Sequence, residues 1–106
     1  MSSIDPLNVQ MLALLLFGVG LATVIARRNL FIVLMGVELL LNAVNLSFIG
    51  FSRTFTDTAA AIDGQVAPIF VIAIAAAEAC VGLAMVICLV RRRDSLDSDD
   101  YAAMKE

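Results

Sequence analysis

Two glutamates, Glu38 and Glu78, each lie near the middle of a long apolar segment that has no other ionisable residue. A charged side chain at the centre of a membrane-spanning helix costs about 2.5–3.5 kcal/mol on insertion scales. Apolar residues are easily accommodated at such positions, so we expect a chain that keeps two carboxyl groups there to use them. The first interpretation is a proton or ion site, and the alternative is a structural hydrogen-bond acceptor.

Polar residues accompany the first of these glutamates. Glu38, Asn42 and Asn45 follow one another at spacings of four and three residues, which places them on one face of a helix. Ser52 continues this face. Such a face must meet protein or water rather than lipid, because polar groups in hydrocarbon need hydrogen-bond partners. We interpret the two asparagines as hydrogen-bonding residues between helices and Glu38 as the proton carrier.

The two glutamates are predicted to lie at similar depth. Glu38 is ten residues from Arg28 and Glu78 is thirteen residues from Arg91, which corresponds to about 15 and 20 Å along straight helices. Small residues surround Glu78 in the segment from Ala73 to Ala79, and small residues let a neighbouring helix approach closely. Helix packing is therefore expected to bring both carboxyl groups into one hydrated path.

The composition indicates a membrane protein. Of 106 residues, 61% are hydrophobic, and the mean hydropathy is +0.97. Three segments, Leu7–Ala26, Leu30–Phe51 and Val66–Val90, contain 20, 22 and 25 residues. As helices they would measure about 30, 33 and 37 Å, against a hydrocarbon core of about 30 Å. We therefore predict an all-α membrane protein, a single domain of residues 1–106 with three transmembrane helices.

The segment ends carry helix signals. Asp5 stands before a proline, as an N-cap residue does, and Asn29 is placed to cap the second helix. A loop of about fourteen residues is expected between the second and third helices, with a turn at Asp63 and Gly64. Pro68 would then fall in the first turn of the third helix, where a backbone N–H is not needed.

Basic residues predict the orientation. Arg27 and Arg28 lie between the first two helices, and Arg91–Arg93 follow the third. Three crossings place these two sites on one side, and the positive-inside rule assigns that side to the cytoplasm. The opposite side has only Arg53, offset by nearby aspartates. The N-terminus is therefore predicted to be outside and the C-terminus inside, with the arginines as topology anchors and headgroup contacts.

This orientation has consequences at the chain ends. Ser3 and Thr58 are expected to face outward, and Ser95 is expected to face the cytoplasm. The formal net charge of −3 comes from an acidic tail over residues 94–106. Either a solvated tail or a tail docked on a partner accounts for this charge.

Several kinds of chemistry are not expected of this chain. The sequence has no histidine, and Cys80 and Cys88 lack the clustered spacing of a zinc or iron–sulfur site. No glycine-rich phosphate loop or dinucleotide motif is present. We therefore expect no metal and no cofactor in this chain, and no nucleic-acid partner. The polar face on the second helix predicts partner subunits within the lipid bilayer.

The chain resembles the K subunits of the proton-translocating NADH:quinone oxidoreductase, respiratory complex I. The resemblance covers nearly the whole length, and the combination of a glutamate–asparagine motif with an alanine–glutamate motif is specific to that family. Four stretches carry it: Arg27-Arg28-Asn29-Leu30, Gly36-Val37-Glu38-Leu39-Leu40-Leu41-Asn42-Ala43-Val44-Asn45-Leu46, Asp63-Gly64-Gln65-Val66 and Ala75-Ala76-Ala77-Glu78-Ala79-Cys80-Val81-Gly82-Leu83-Ala84.

The resemblance implies a place in the membrane arm, between quinone-side subunits and antiporter-like subunits. It assigns Glu38 and Glu78 to a central hydrophilic axis that carries protons or relays charge. NADH, FMN, iron–sulfur clusters and quinone would belong to partner subunits. The implied location is the bacterial cytoplasmic (inner) membrane, rather than the thylakoid or mitochondrial inner membrane. The electron donor stays open, because photosynthetic relatives with a similar small subunit use ferredoxin.

Three other classes of small membrane protein are alternatives. A small subunit of a multisubunit cation/proton antiporter shares the three-helix plan, but as a family it lacks the pair of glutamates. A rotor-ring subunit of a rotary ATPase normally has two helices and one buried carboxyl group. A small multidrug exporter usually has four helices and a glutamate in the first.

Overall fold

The computed structural model describes residues 4–93 and 97–102, and these residues form three long helices and one short one. They are α1 (Pro6–Ala26), α2 (Leu30–Ser52), α3 (Thr58–Arg93) and α4 (Asp99–Ala102). The three long helices have the length and apolar composition to cross a membrane. The prediction of an all-α chain with three such helices is confirmed. Ser3, Ser95 and the tail residues 94–96 and 103–106 lie outside the described residues.

The first two helices begin where the sequence predicts. The Asp5 side chain caps α1 by accepting a hydrogen bond of 3.0 Å from the Leu7 backbone N–H. Asn29 caps α2 in the same way, accepting from the Phe31 N–H at 3.0 Å. Each cap satisfies one of the backbone donors that the first turn of a helix leaves without a partner.

The third helix begins earlier than predicted. α3 starts at Thr58 rather than at residue 66, so only a short turn separates it from α2. Asp57 stabilises this start, because its carboxylate accepts a hydrogen bond of 3.2 Å from the Ala59 N–H. The first turns of α3 are rich in alanine, the best helix former, and they extend the helix beyond the apolar segment that hydropathy detects.

The predicted turn at Asp63 and Gly64 is therefore wrong, since both residues lie inside α3. Pro68 also lies inside the helix rather than in its first turn. Gly64 packs closely against α2, where a side chain would collide with Ser52. The glycine thus serves helix contact instead of a change in chain direction.

α2 lies between the other two long helices. It packs against α1 on one side and α3 on the other, while α1 and α3 make no contact with each other in the described part of the chain. At the α1–α2 crossing, a Cβ atom added to Gly20 would lie 2.9 Å from the Gly36 carbonyl oxygen. The backbones therefore approach closely at this pair of glycines.

One pair of polar side chains also joins α1 to α2. The Ser47 hydroxyl donates a hydrogen bond of 2.7 Å to Gln10 Oε1, and Gln10 Nε2 donates one of 2.9 Å to the Ser47 carbonyl oxygen. The two side chains thus satisfy each other within the bundle. Hydrophobic residues that are fully buried are few and small in the described chain: Ala13, Ala43, Ala75 and Val86.

Candidate functional site

The two central glutamates lie level with each other across the α2–α3 interface. Leu34 on α2 contacts α3 at Gly82, where an added Cβ atom would lie 2.9 Å from Leu34 Cδ1. Glu38 comes four residues after Leu34, and Glu78 comes four residues before Gly82 on the antiparallel helix. Since both helices rise by about 1.5 Å per residue, the two Cα atoms lie at nearly the same height.

A second contact gives the same alignment. A Cβ atom added to Gly64 would lie 2.7 Å from the Cβ atom of Ser52. Ser52 comes fourteen residues after Glu38, and Gly64 comes fourteen residues before Glu78. The two contacts enclose the glutamates from both ends of the interface. This alignment agrees with the similar depth that the sequence predicts.

Glu38 lies on the side of α2 that faces α3. Leu34 and Ser52 both contact α3, and each lies within about 40° of Glu38 around the α2 axis. The Glu38 side chain is half-buried, and its Oε1 atom is buried without a hydrogen-bond partner among the described residues. Buried polar atoms without partners are uncommon in folded proteins, so this oxygen marks a place where a donor is missing.

Glu78 lies at the rim of the same interface, one turn from the Gly82 contact. Its side chain is exposed within this chain, so that burial of this carboxyl group, which the sequence predicts, requires a partner helix. The carboxyl group opens onto a shallow depression lined by Ala77, Val81 and Met85. The two carboxyl groups thus share a level but differ in surroundings.

The predicted polar face on α2 divides in the structure. Asn45 is 7% exposed and its Oδ1 atom is buried without a partner among the described residues. Ser52 is 1% exposed and donates a hydrogen bond of 2.7 Å to the Ile49 carbonyl oxygen. Asn42 is exposed. Glu38, Asn45 and Ser52 therefore form a row with a spacing of seven residues, and Asn42 lies beside this row.

The row follows from helix geometry. Residues seven apart on a helix differ by only about 20° in direction, while residues four apart differ by about 40°. Asn42 therefore points further from the α3 contact than Asn45 does. The sequence spacing identified the polar residues, but it could not decide which edge of the face α3 covers.

The predicted cytoplasmic arginines lie at the turn between α1 and α2, and both are exposed. Arg28 Nη1 forms an ion pair of 2.8 Å with Asp99 Oδ2, and the Arg28 carbonyl oxygen accepts a hydrogen bond of 3.0 Å from the Ser98 N–H. Asn29 pairs with Asp97 in a short antiparallel bridge. The C-terminal segment therefore docks on this turn of its own chain, which places both at one end of the bundle.

Residues that could hold a metal were sought among the described side chains. No three cysteine, histidine, aspartate or glutamate residues in that part of the chain lie close enough together to bind a metal ion. Cys80 and Cys88 are free thiols on exposed positions of α3. The chemistry that the described residues offer is the binding and release of protons at Glu38 and Glu78.

Residues 8–106 match the protein family described as NADH-ubiquinone/plastoquinone oxidoreductase chain 4L. The match includes every residue of the site described above.

Individual relatives agree with this match. The chain is 43% identical over 106 residues to NADH-quinone oxidoreductase subunit K of Thermomicrobium roseum, covering 100% of both chains. It is 47% identical over 95 residues to the subunit K of Anaeromyxobacter sp. (strain K), covering 90% of this chain and 92% of the relative. It is 45% identical over 98 residues to NADH-quinone oxidoreductase subunit K 2 of Geotalea uraniireducens, covering 92% and 94%.

Proposed function

Because the chain belongs to the NADH-ubiquinone/plastoquinone oxidoreductase chain 4L family, we propose that Glu38 and Glu78 carry protons or relay charge within the membrane part of an NADH-quinone oxidoreductase. The observation that supports this role most directly is the common level of the two carboxyl groups on α2 and α3. A proton or a charge that arrives at one group meets the other at the same depth in the membrane.

The different surroundings of the two groups give each a separate part. Glu38 lies half-buried beside α3 and Glu78 opens outward from α3. Glu38 therefore holds the proton inside this chain, and Glu78 exchanges it with a neighbouring subunit. An exposed carboxyl group in a membrane-spanning helix is costly unless a partner covers it, so assembly completes the site.

The assembly that we propose follows the family. Neighbouring membrane subunits, on the quinone side and on the antiporter-like side, cover the outer surfaces of α1 and α3. NADH, FMN, iron–sulfur clusters and quinone are held by partner subunits, and this chain supplies the carboxyl groups. The location is the bacterial cytoplasmic membrane, with the α1–α2 turn on the cytoplasmic side.

Substitution of each glutamate by glutamine tests the proposal. Glutamine keeps the shape and one acceptor oxygen but does not carry a proton at neutral pH. In assembled complexes, we expect Glu38→Gln to lower quinone reduction and proton translocation by roughly tenfold or more, as loss of a proton-transferring group does. Electron transfer from NADH to ferricyanide, which needs only the redox subunits, should stay unchanged.

Asp63→Asn is the matched control, because Asp63 is an exposed carboxylate near the start of the same helix as Glu78. We expect this variant to translocate protons normally. Normal proton translocation by assembled Glu38→Gln complex would reduce Glu38 to a structural acceptor and overturn the proposal.

A further inference from the structure

Two buried oxygens in the α2–α3 interface lack hydrogen-bond donors. They are Glu38 Oε1 and Asn45 Oδ1, and neither has a partner among the described residues. Both side chains face α3, separated by two turns of α2. Their Cα atoms are about 10.5 Å apart along the helix axis.

The facing surface of α3 offers no donor. The α3 residues that are buried or in close contact on this side are small or apolar: Gly64, Pro68, Ala75 and Gly82. Backbone N–H groups along an α-helix are already bonded to carbonyl oxygens one turn earlier. A donor for the two oxygens must therefore enter from outside the chain.

We propose that water enters the α2–α3 interface between Glu38 and Asn45, and that Asn45 is the positioning residue that holds it. A donor on a partner helix would have to reach the Asn45 oxygen through a side chain that is 93% buried, since Asn45 is 7% exposed. Water is small enough to enter when the two helices part slightly, and it can donate to both oxygens. The separation along the axis corresponds to between three and four hydrogen bonds of about 2.8 Å.

The two interfaces of α2 differ in a way that favours opening on the α3 side. The α1–α2 interface is held by the reciprocal Gln10–Ser47 hydrogen bonds and by close backbone approach at Gly20. The α2–α3 interface instead contains both unpartnered oxygens. Opening this interface restores hydrogen bonds, while opening the other would break them.

Water at this place would extend the path of Glu38 along α2 towards Ser52. That functional part rests on the proposed role of Glu38, whereas the presence of the water does not. The experiment below therefore measures the water and the proton translocation separately.

Cysteine reactivity in the assembled complex tests for the water, in a background with Cys80 and Cys88 replaced by alanine. Ala75→Cys places a thiol in the α2–α3 interface, and Ala43→Cys places one in the α1–α2 interface. Both alanines are buried, at 8% and 2% exposure. Leu41 is level with Ala75, so the two thiols differ in depth by only about 3 Å.

A small charged methanethiosulfonate reagent reacts with thiolates, which form where water is present. We expect Ala75→Cys to react roughly tenfold faster than Ala43→Cys. Adding Asn45→Leu should lower the Ala75→Cys rate to that of Ala43→Cys, because the residue that holds the water is lost. Val71→Cys, level with Asn45, is the second probe if the first variant does not assemble.

Equal rates at Ala75→Cys and Ala43→Cys would overturn the water site, whatever Glu38→Gln does to translocation. Fast labelling together with normal proton translocation by the Asn45→Leu complex would overturn the functional part of the inference. Fast labelling and slowed translocation in Asn45→Leu, with assembly retained, is the expected result.

Discussion

Glu38 on α2 and Glu78 on α3 lie at one level, each four residues from the Leu34–Gly82 contact and fourteen from the Ser52–Gly64 contact. The first is half-buried and the second exposed. Two carboxyl groups in one plane of the membrane, one beside the interface and one at its rim, form a lateral arrangement. This favours transfer within the membrane plane over transfer straight across it.

The direction in which the carboxyl group points should matter more than its position along the sequence. In the Glu38→Gln background, a glutamate introduced at Leu34 lies one turn away and within about 40° of the original direction. A glutamate at Val37 is closer in sequence but about 100° away. Both positions are half-buried, so they are comparable hosts for a carboxyl group.

We expect partial recovery of proton translocation with Leu34→Glu and none with Val37→Glu, measured in complexes of equal subunit content. Equal recovery at both positions would show that a carboxyl group anywhere on this part of α2 suffices.

The close approach of α1 and α2 should tolerate no side chain at Gly20. A Cβ atom there would lie 2.9 Å from the Gly36 carbonyl oxygen, whereas a Cβ atom at Gly18 meets nothing within 4 Å. Overpacking of this kind costs about 1–3 kcal/mol. We expect Gly20→Ala to lower the thermal stability of the assembled complex and Gly18→Ala to leave it unchanged. Identical melting of the two variants would argue against the glycine contact.

The orientation is a prediction that labelling of intact cells can test. In a background without Cys80 and Cys88, Thr58→Cys should react with a membrane-impermeant thiol reagent from outside. Ser98→Cys should react only after the membrane is opened, because it belongs to the segment docked on the arginine-bearing turn. Labelling of Ser98→Cys but not Thr58→Cys in intact cells would reverse the assignment.

The docking of the C-terminal segment predicts a specific disulfide. Asn29 and Asp97 face each other in an antiparallel bridge, where Cα atoms lie about 4.5–5.5 Å apart, within the range of disulfide geometry. Asn29→Cys with Asp97→Cys should therefore oxidise readily. Arg53→Cys with Asp97→Cys is the control, because Arg53 caps the opposite end of α2. No cross-link in the first pair would contradict the docking.

Ionic strength should influence this cross-link. The Arg28–Asp99 pair is exposed, with the two side chains 74% and 62% accessible, and such pairs contribute about 0–1 kcal/mol and weaken with salt. We expect slower oxidation of the Asn29–Asp97 cysteine pair at high salt. A rate independent of salt would assign the docking to the backbone hydrogen bonds alone.

The sequence predicted the features that depend on local pattern. Hydropathy located the three long helices, and the side chains of Asp5 and Asn29 identified the starts of α1 and α2. The start of α3 was missed, because its first turns carry alanine and aspartate rather than a continuous apolar run. Gly64 was taken for a turn residue, since composition cannot distinguish a glycine that bends the chain from one that admits a neighbouring helix.

The site was predicted in its residues but not in its arrangement. Spacing placed Glu38, Asn42 and Asn45 on one face, and the structure buries Asn45 while leaving Asn42 exposed. The Gln10–Ser47 pair was not predicted, because nothing in the sequence indicates which residues of α1 and α2 meet. The docking of Asp99 on Arg28 likewise depends on contacts between distant parts of the chain.

The sparse interior of the bundle has a consequence for how mutations will be tolerated. The four fully buried hydrophobic residues of the described chain, Ala13, Ala43, Ala75 and Val86, are small, and many large leucines, isoleucines and phenylalanines point outward. In a soluble protein, a saturation mutagenesis map shows an intolerant centre and a permissive exterior. Here the map should show intolerance on those outward faces that neighbouring subunits cover and permissiveness on those that meet lipid. Such a map would therefore trace the footprint of each neighbouring subunit on this chain.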